Sequence, residues 1–283
     1  MWKQKIGICV GNYFPGDLCE AVNIIADIGF DAISPVWYPD GSLERIVNTA
    51  KERGLLIQSL HAPSRQSAKM WHEDPQIAQG ALDELLLSLA DCQKFSIPIL
   101  VVHAWGGFDF SKSPQEKDIS HFDVLVEKAA DAGVQIAFEN LQGEQFVYAL
   151  LDHFKGNDAV GFCWDSGHEV CYSRSMPLLK DLGDRLIMTH INDNLGISSF
   201  DGSITSKDDI HLLPFDGVSD WTHNVQLLQQ APKQEILNFE VKPTSRANQH
   251  ENDNYAQMPL RMYLLEAYKR ARKIAYMYAG PYC

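Results

Sequence analysis

The 283-residue sequence predicts an α/β fold, a single closed (β/α)8 barrel over residues 1–283. Three observations point there. A short, β-rich apolar run followed by a helical segment recurs eight times along the chain. The strand candidates are near-continuous apolar runs rather than clean alternations, as expected when a parallel sheet is buried on both faces. A barrel of this kind takes about 250 residues, nearly the whole chain. An open, doubly wound sheet is the structural alternative. It usually carries a glycine-rich phosphate loop, and Val10-Gly11-Asn12-Tyr13-Phe14-Pro15-Gly16 after the first strand is not GxGxxG.

The elements follow in order. Strand 5–10 leads to a helix near 17–28, with Asp17 before it and Gly29 after it as end signals. Strand 31–36 leads to helix 43–53, set between Ser42 and Gly54. Strand 55–60 precedes helix 76–95, and strand 98–103 precedes helix 116–132, which Gly133 follows. The remaining pairs are 134–139 with 144–154, 160–165 with 175–182, 185–191 with 220–230, and 235–240 with 256–276. Two stretches break the rhythm, 104–116 and the polar, Gly/Ser-rich 192–219. Loops this long in a compact domain are usually functional or mobile, and 192–219 is a candidate lid.

Composition narrows the function classes. Lys plus Arg is 24 and Asp plus Glu is 37, a net charge of −13, and 45% of residues are hydrophobic. These values exclude a disordered or fibrous chain. The acidic balance disfavours a nucleic-acid partner, which usually leaves a basic footprint. No run reaches the ~18 apolar residues of a membrane span. The first apolar run, Ile6 to Val10, is too short for a signal peptide. Cys9, Cys19, Cys92, Cys163, Cys171 and Cys283 form no CxxC, so they read as reduced thiols of a cytoplasmic protein. Nothing fixes an oligomeric state.

The chemistry gathers at the C-terminal ends of the strands, the rim on which barrel active sites are built. His61, His103, Glu139, Asp165, His190 and Glu240 stand at or near six strand ends. Asp165 and His168 are three apart, and Gly167 between them reads as a turn that folds the chain back toward the pocket. Asp209 and His211 are two apart, so an extended loop would point both the same way. That makes nine candidates, five histidines and four carboxylates. One Zn²⁺ or Mn²⁺ takes about four to six ligands, so the set implies one to three divalent ions, or one ion plus groups for substrate and proton transfer. Four converging carboxylates without cations would repel one another. Taken singly, each residue reads more readily as a cap or loop hydrogen-bonder; six at corresponding strand ends read otherwise. Asp193 and Asn194 read either as turn formers or as support behind the ligands. Trp37, Tyr38, Trp105 and Phe108 stand at the same rim, either packed or laid against sugar C–H surfaces. Arg246 reads either as a substrate-binding group for phosphate or hydroxyl, or as an exposed solubilising residue.

The set His61, His103, Glu139-Asn140, Asp165-Ser-Gly-His168, Thr189-His190-Ile-Asn-Asp193, His211-Leu-Leu-Pro-Phe-Asp-Gly217 and Phe239-Glu240 resembles the xylose isomerase-like TIM-barrel superfamily along essentially the whole chain. That superfamily holds sugar and sugar-phosphate isomerases and epimerases, and the endonuclease IV type of apurinic endonuclease. The resemblance to the tagatose 3-epimerase type implies one Mn²⁺ or related ion on Glu139, Asp165, His190 and Glu240. The resemblance to endonuclease IV implies three zinc ions on all nine residues. The loop Trp37-Tyr38-Pro39-Asp40-Gly41 has none of the basic residues with which the endonuclease enters DNA. The expectation is therefore a metal-dependent isomerase or epimerase acting on a small carbohydrate through a metal-stabilised enediolate. Glu139 and Glu240 would be its catalytic acid and base, and His168 would hold a substrate hydroxyl. A zinc phosphodiesterase or a dehydratase of the same fold is the alternative.

Overall fold

The computed structural model describes residues 4–109, 111–114, 119–173 and 176–280. Its strands run parallel in two curved arcs. In the first, β1 (Lys5–Val10) lies between β2 (Ala32–Pro35) and β9 (Ile236–Phe239), and β3 (Leu56–Ile57) pairs with the far side of β2. The second runs in chain order through β4 (Leu60–His61), β5 (Ile99–His103), β6 (Gln135–Glu139), β7 (Val160–Asp165) and β8 (Leu186–His190). Isolated bridges, Val36 to His61 and Ile191 to Phe239, join the arcs at both seams. The result is the expected α/β barrel. Its strands are almost wholly buried because helices cover the outside and side chains fill the inside.

The third predicted strand, 55–60, departs from a single run: it is two short pieces, β3 and β4, separated by Gln58 and Ser59. The chain changes partner there. The Gln58 N–H donates to the Ile33 carbonyl on the β2 side, whereas Leu60 and His61 pair with Leu100 and Val101 of β5.

Helix ends follow local chemistry. Asp17 Oδ1 accepts from the N–H groups of Cys19 and Glu20 at 2.8 and 3.2 Å, which starts α1 (Leu18–Ile28). Gly29, with φ 107°, ends it in the left-handed region. α2 (Ser42–Glu52) carries Leu43, Ile46, Val47 and Ala50 on its buried face. A short helix, α3 (Ser67–Met70), leads into α4 (Pro75–Phe95), which Asp74 caps. α5 (Ser120–Asp131), α6 (Glu144–His153), α7 (Ser166–Tyr172) and α8 (Leu178–Leu182) follow, then α9 (Trp221–Gln230), α10 (Asp253–Ala256) and α11 (Leu260–Ala279). The expected helix starts at 116–118 and 175, and Cys283, lie outside the described residues. Cys9, Cys92, Cys163 and Cys171 are buried free thiols, and Cys19 is partly exposed. No helix among the described residues is long and apolar enough to cross a membrane.

Candidate metal centre

All nine predicted donors converge at the C-terminal rim. Glu139 is the hub. Its Oε1 lies 2.9 Å from His190 Nδ1, and its Oε2 lies 3.3 Å from Nε2 of both His61 and His103. On the other side, His190 Nδ1 is 2.9 Å from Glu240 Oε2. Asp209 Oδ1 stands 2.7 Å from His211 Nε2 and 3.4 Å from His168 Nε2. Donor atoms of His61, Glu139, His190 and Glu240 all lie within 4.8 Å of one another. So do those of His168, Asp209 and His211, and Asp165 joins Glu139 and His168, or His211 and Glu240, within the same limit.

Tautomers sharpen the reading. Nδ1 of His61 faces the Ala62 carbonyl at 2.7 Å, that of His168 the Asn140 carbonyl at 2.9 Å, and that of His211 the Glu240 carbonyl at 3.1 Å. A carbonyl only accepts, so Nδ1 carries the proton that it donates there. Nε2 of the neutral ring then presents a lone pair to the centre. Despite these close approaches, His168 Nε2, Glu139 Oε2 and Glu240 Oε2 are buried without a hydrogen bond of good geometry. Buried polar atoms are rarely left so, and atoms that converge are what a cation would satisfy. Five imidazoles and four carboxylates fit Zn²⁺ or Mn²⁺.

Without a cation the charges compensate among themselves. Burial opposes ionisation of Glu139, yet His190 and His103 hold its carboxyl well below the usual range. Asp209 is likewise held low against its burial by His211, Lys242 and His168. Burial pushes the Asp165 carboxyl up. Burial disfavours the His168 cation, but Asp165 and Asp209 outweigh it and raise the imidazole to about 10. Burial lowers His103.

Two local geometries differ from expectation. Gly167 is not a turn. Asp165 caps α7, its Oδ1 accepting from the His168 N–H at 2.7 Å, and the helix itself returns His168 to the centre. Gly167 is needed for space, since a Cβ there would lie 1.8 Å from Asn192 Oδ1. The loop at Asp209 and His211 is not extended either. His211 has φ 47°, and this left-handed turn brings its ring onto Asp209.

Two carboxylates shape the long loop that delivers this pair. Asp193 accepts from the N–H groups of Asn194, Phe215 and Ser219 and from Trp221 Nε1. Asp208 accepts from Ser198 and Thr205. Behind the donors, Asn192 Nδ2 donates to Asp165 Oδ2 at 2.8 Å. Asn140 brackets the Asp165 backbone, donating to its carbonyl and accepting from its N–H.

A cavity of about 700 Å³ opens over the centre. His61, His103, His168, Asp209, His211 and Glu240 line it, whereas Glu139, Asp165 and His190 are fully buried and do not. Trp37 and Trp105, expected to bind substrate, do not line it. A buried indole N–H needs a partner. Trp37 Nε1 finds Asp91 Oδ2 at 2.7 Å, and Trp105 stacks on Phe146 with centroids 4.2 Å apart. Tyr38 and Phe108 do face the cavity. Arg246 lines it too, but its guanidinium is engaged by the Asp209 carboxylate and carbonyl. His168 lines the cavity and sets its Nε2 3.4 Å from Asp209 Oδ1, within the donor cluster. Sequence reasoning missed Tyr13, Ser64, Gln142, Ser206 and Lys242 on the cavity wall. Lys242 had a signal, standing two residues beyond Glu240.

Residues 22–262 match the family model described as xylose isomerase-like TIM barrel. The uncharacterized protein y4fM of Sinorhizobium fredii is 30% identical over 263 residues, covering 78% of this chain and 80% of its own. Among solved structures, the IOLI protein with a binding zinc atom superposes with a TM-score of 0.73 at 17% identity, covering 95% of this chain and 97% of that one. The D-psicose 3-epimerase of Clostridium cellulolyticum H10, solved with D-tagatose, gives 0.67 at 15% identity, covering 96% and 99%. The 3-keto-D-glucoside 4-epimerase YcjR of E. coli gives 0.67 at 20% identity, covering 96% and 100%.

Proposed function

The chain belongs to the xylose isomerase-like TIM-barrel family, and from that premise we propose that it is a metal-dependent isomerase or epimerase of a small carbohydrate. The observation that carries the reading is Glu240, a carboxylate in the donor cluster that also lines a cavity of about 700 Å³. That volume suits a small molecule. A divalent cation held by the cluster would polarise a carbonyl oxygen and acidify the carbon beside it. Glu240, held ionised by His190 and His211 against its burial, removes the proton alpha to that carbonyl and, as the resulting carboxylic acid, returns it to carbon to complete the isomerisation. Glu139, expected as the second acid–base group, is fully buried and off the cavity wall, which favours a place among the metal ligands. Tyr13 and Tyr38 close one side of the cavity, and Ser64, Gln142 and Ser206 offer partners for hydroxyl groups.

The test is a ketose panel with chromatographic separation of products. Conversion that EDTA abolishes and Mn²⁺ or Zn²⁺ restores supports the assignment. No conversion by metal-loaded protein across the panel counts against it.

One observation favours a second reading. The four-donor group around Glu139 and the group His168, Asp209 and His211 share no residue, so the centre has places for more than one cation. Phosphoester hydrolysis uses such an arrangement. Incision of abasic-site DNA by the zinc-loaded protein would support hydrolysis. Absence of incision, together with ketose conversion, supports the carbohydrate reading.

A further inference from the structure

We infer that Lys242 is an anchor for an anionic group of the substrate, so that the cavity takes a phosphorylated or carboxylated sugar in preference to a neutral one. This rests on the carbohydrate reading above and names its substrate class.

Two cationic side chains line the cavity, Lys242 and Arg246. They are not equivalent. Arg246 Nη2 is ion-paired to Asp209, and its Nε donates to the Asp209 carbonyl. Its N–H donates to Glu251 Oε1 at 2.7 Å, which ties down the backbone as well. Arg246 is therefore part of the frame that holds a donor carboxylate. Lys242 makes no ion pair within 4.0 Å to a carboxylate among the described residues, and its ammonium sits 5.9 Å from the centroid of the Tyr13 ring. Tyr13 lines the same cavity.

The backbone fixes where this charge stands. Glu240 is one of the donors that line the cavity, and Lys242 follows two residues later, where an extended chain returns to the same side. The Lys242 N–H donates to the His211 carbonyl at 3.0 Å, which ties the lysine to the turn that carries another donor. An unpaired ammonium on the wall of a cavity this size lies within one small molecule's reach of the centre. A sugar with its carbonyl oxygen over the cluster would carry a terminal phosphate or carboxylate toward Lys242. A lysine acts there as a flexible point charge, which suits either anion.

The experiment uses the metal-loaded full chain and isothermal titration calorimetry. D-fructose, D-fructose 6-phosphate and D-fructuronate are compared on the wild type, Lys242→Gln and Lys242→Arg. A charge-assisted hydrogen bond gives a preference of about 10- to 100-fold for one or both anionic ketoses. The phosphate and carboxylate arms identify which anion the cavity takes. Lys242→Gln collapses the ratio toward one, and Lys242→Arg keeps most of it. Equal wild-type affinity for neutral and anionic ketoses, or a preference that survives in Lys242→Gln, overturns the inference. If no ketose binds, the carbohydrate reading fails separately, and inorganic phosphate becomes the probe. Tighter phosphate binding to wild type than to Lys242→Gln then sustains the anion anchor, and equal binding overturns it. Anion preference without conversion of any ketose retains the anchor and rejects the proposed reaction.

Discussion

Replacing Gly167 by Ala tests the link between packing and the metal centre. The added methyl would lie 1.8 Å from Asn192 Oδ1 and 2.9 Å from its Cγ. Ordinary contact needs about 3.5 Å, so Asn192 must retreat by roughly 1.7 Å. It has little freedom to do so. The side chain is buried, and Nδ2 donates to Asp165 Oδ2 at 2.8 Å and to the His190 carbonyl at 3.3 Å. Moving it breaks a charge-assisted bond worth about 1.5–3 kcal/mol and adds overpacking of about 1–3 kcal/mol. Groups that orient a ligand typically change metal affinity by about 10- to 100-fold. Chelator competition with Zn²⁺ should show a loss of that size, with a lower Tm in the same variant. The double variant Gly167→Ala/Asn192→Ala relieves the clash but leaves the bond to Asp165 missing, so it should recover only the overpacking share of Tm and none of the affinity. Unchanged affinity and Tm in Gly167→Ala would refute the reasoning.

Chelator-treated protein should lose stability as pH rises. His168 is raised from 6.5 to about 10, so its contribution is complete below pH 6.5 and disappears as pH climbs through 10. Tm of the stripped protein should therefore fall between pH 7 and 10, while the metal-loaded protein, whose ligand imidazole carries no extra proton, should change less; the reverse order would contradict this. Asp193→Ala removes the acceptor for three backbone N–H groups and the Trp221 indole. Limited proteolysis should then cut within 192–219 and metal affinity should fall, because this loop carries Asp209 and His211; resistance equal to wild type would show that the carboxylate does not organise the loop.

The barrel was legible because each βα unit repeats one pattern, and errors fell where tertiary partners override it. Gln58 and Ser59 sit inside an apolar run, and only the change of strand partner from β2 to β5 splits it. The convergence of the nine candidates was legible because six of them sit at or near strand ends, which are fixed addresses on the rim. Their local routes were not. Gly167 reads as a turn from sequence, yet it lies in a helix whose packing against Asn192 leaves no room for a methyl. Asp209 and His211 read as an extended pair, yet a left-handed His211 brings them together. Trp37 and Trp105 stand beside rim positions, but their N–H groups and ring faces are taken by Asp91 and by Phe146 and Gly107. Arg246 and Lys242 are both cations after the last strand in sequence, and the structure adds that Arg246 is ion-paired to Asp209.

The most direct test of the proposed chemistry is proton exchange in D₂O, followed by NMR at the carbon alpha to the carbonyl of each ketose in the panel. The metal-loaded wild type is predicted to incorporate deuterium at that carbon in at least one ketose. Glu240→Gln, reloaded with metal and checked for metal content, is predicted not to. Exchange that persists in Glu240→Gln, or no exchange by the wild type with any ketose, would contradict the account.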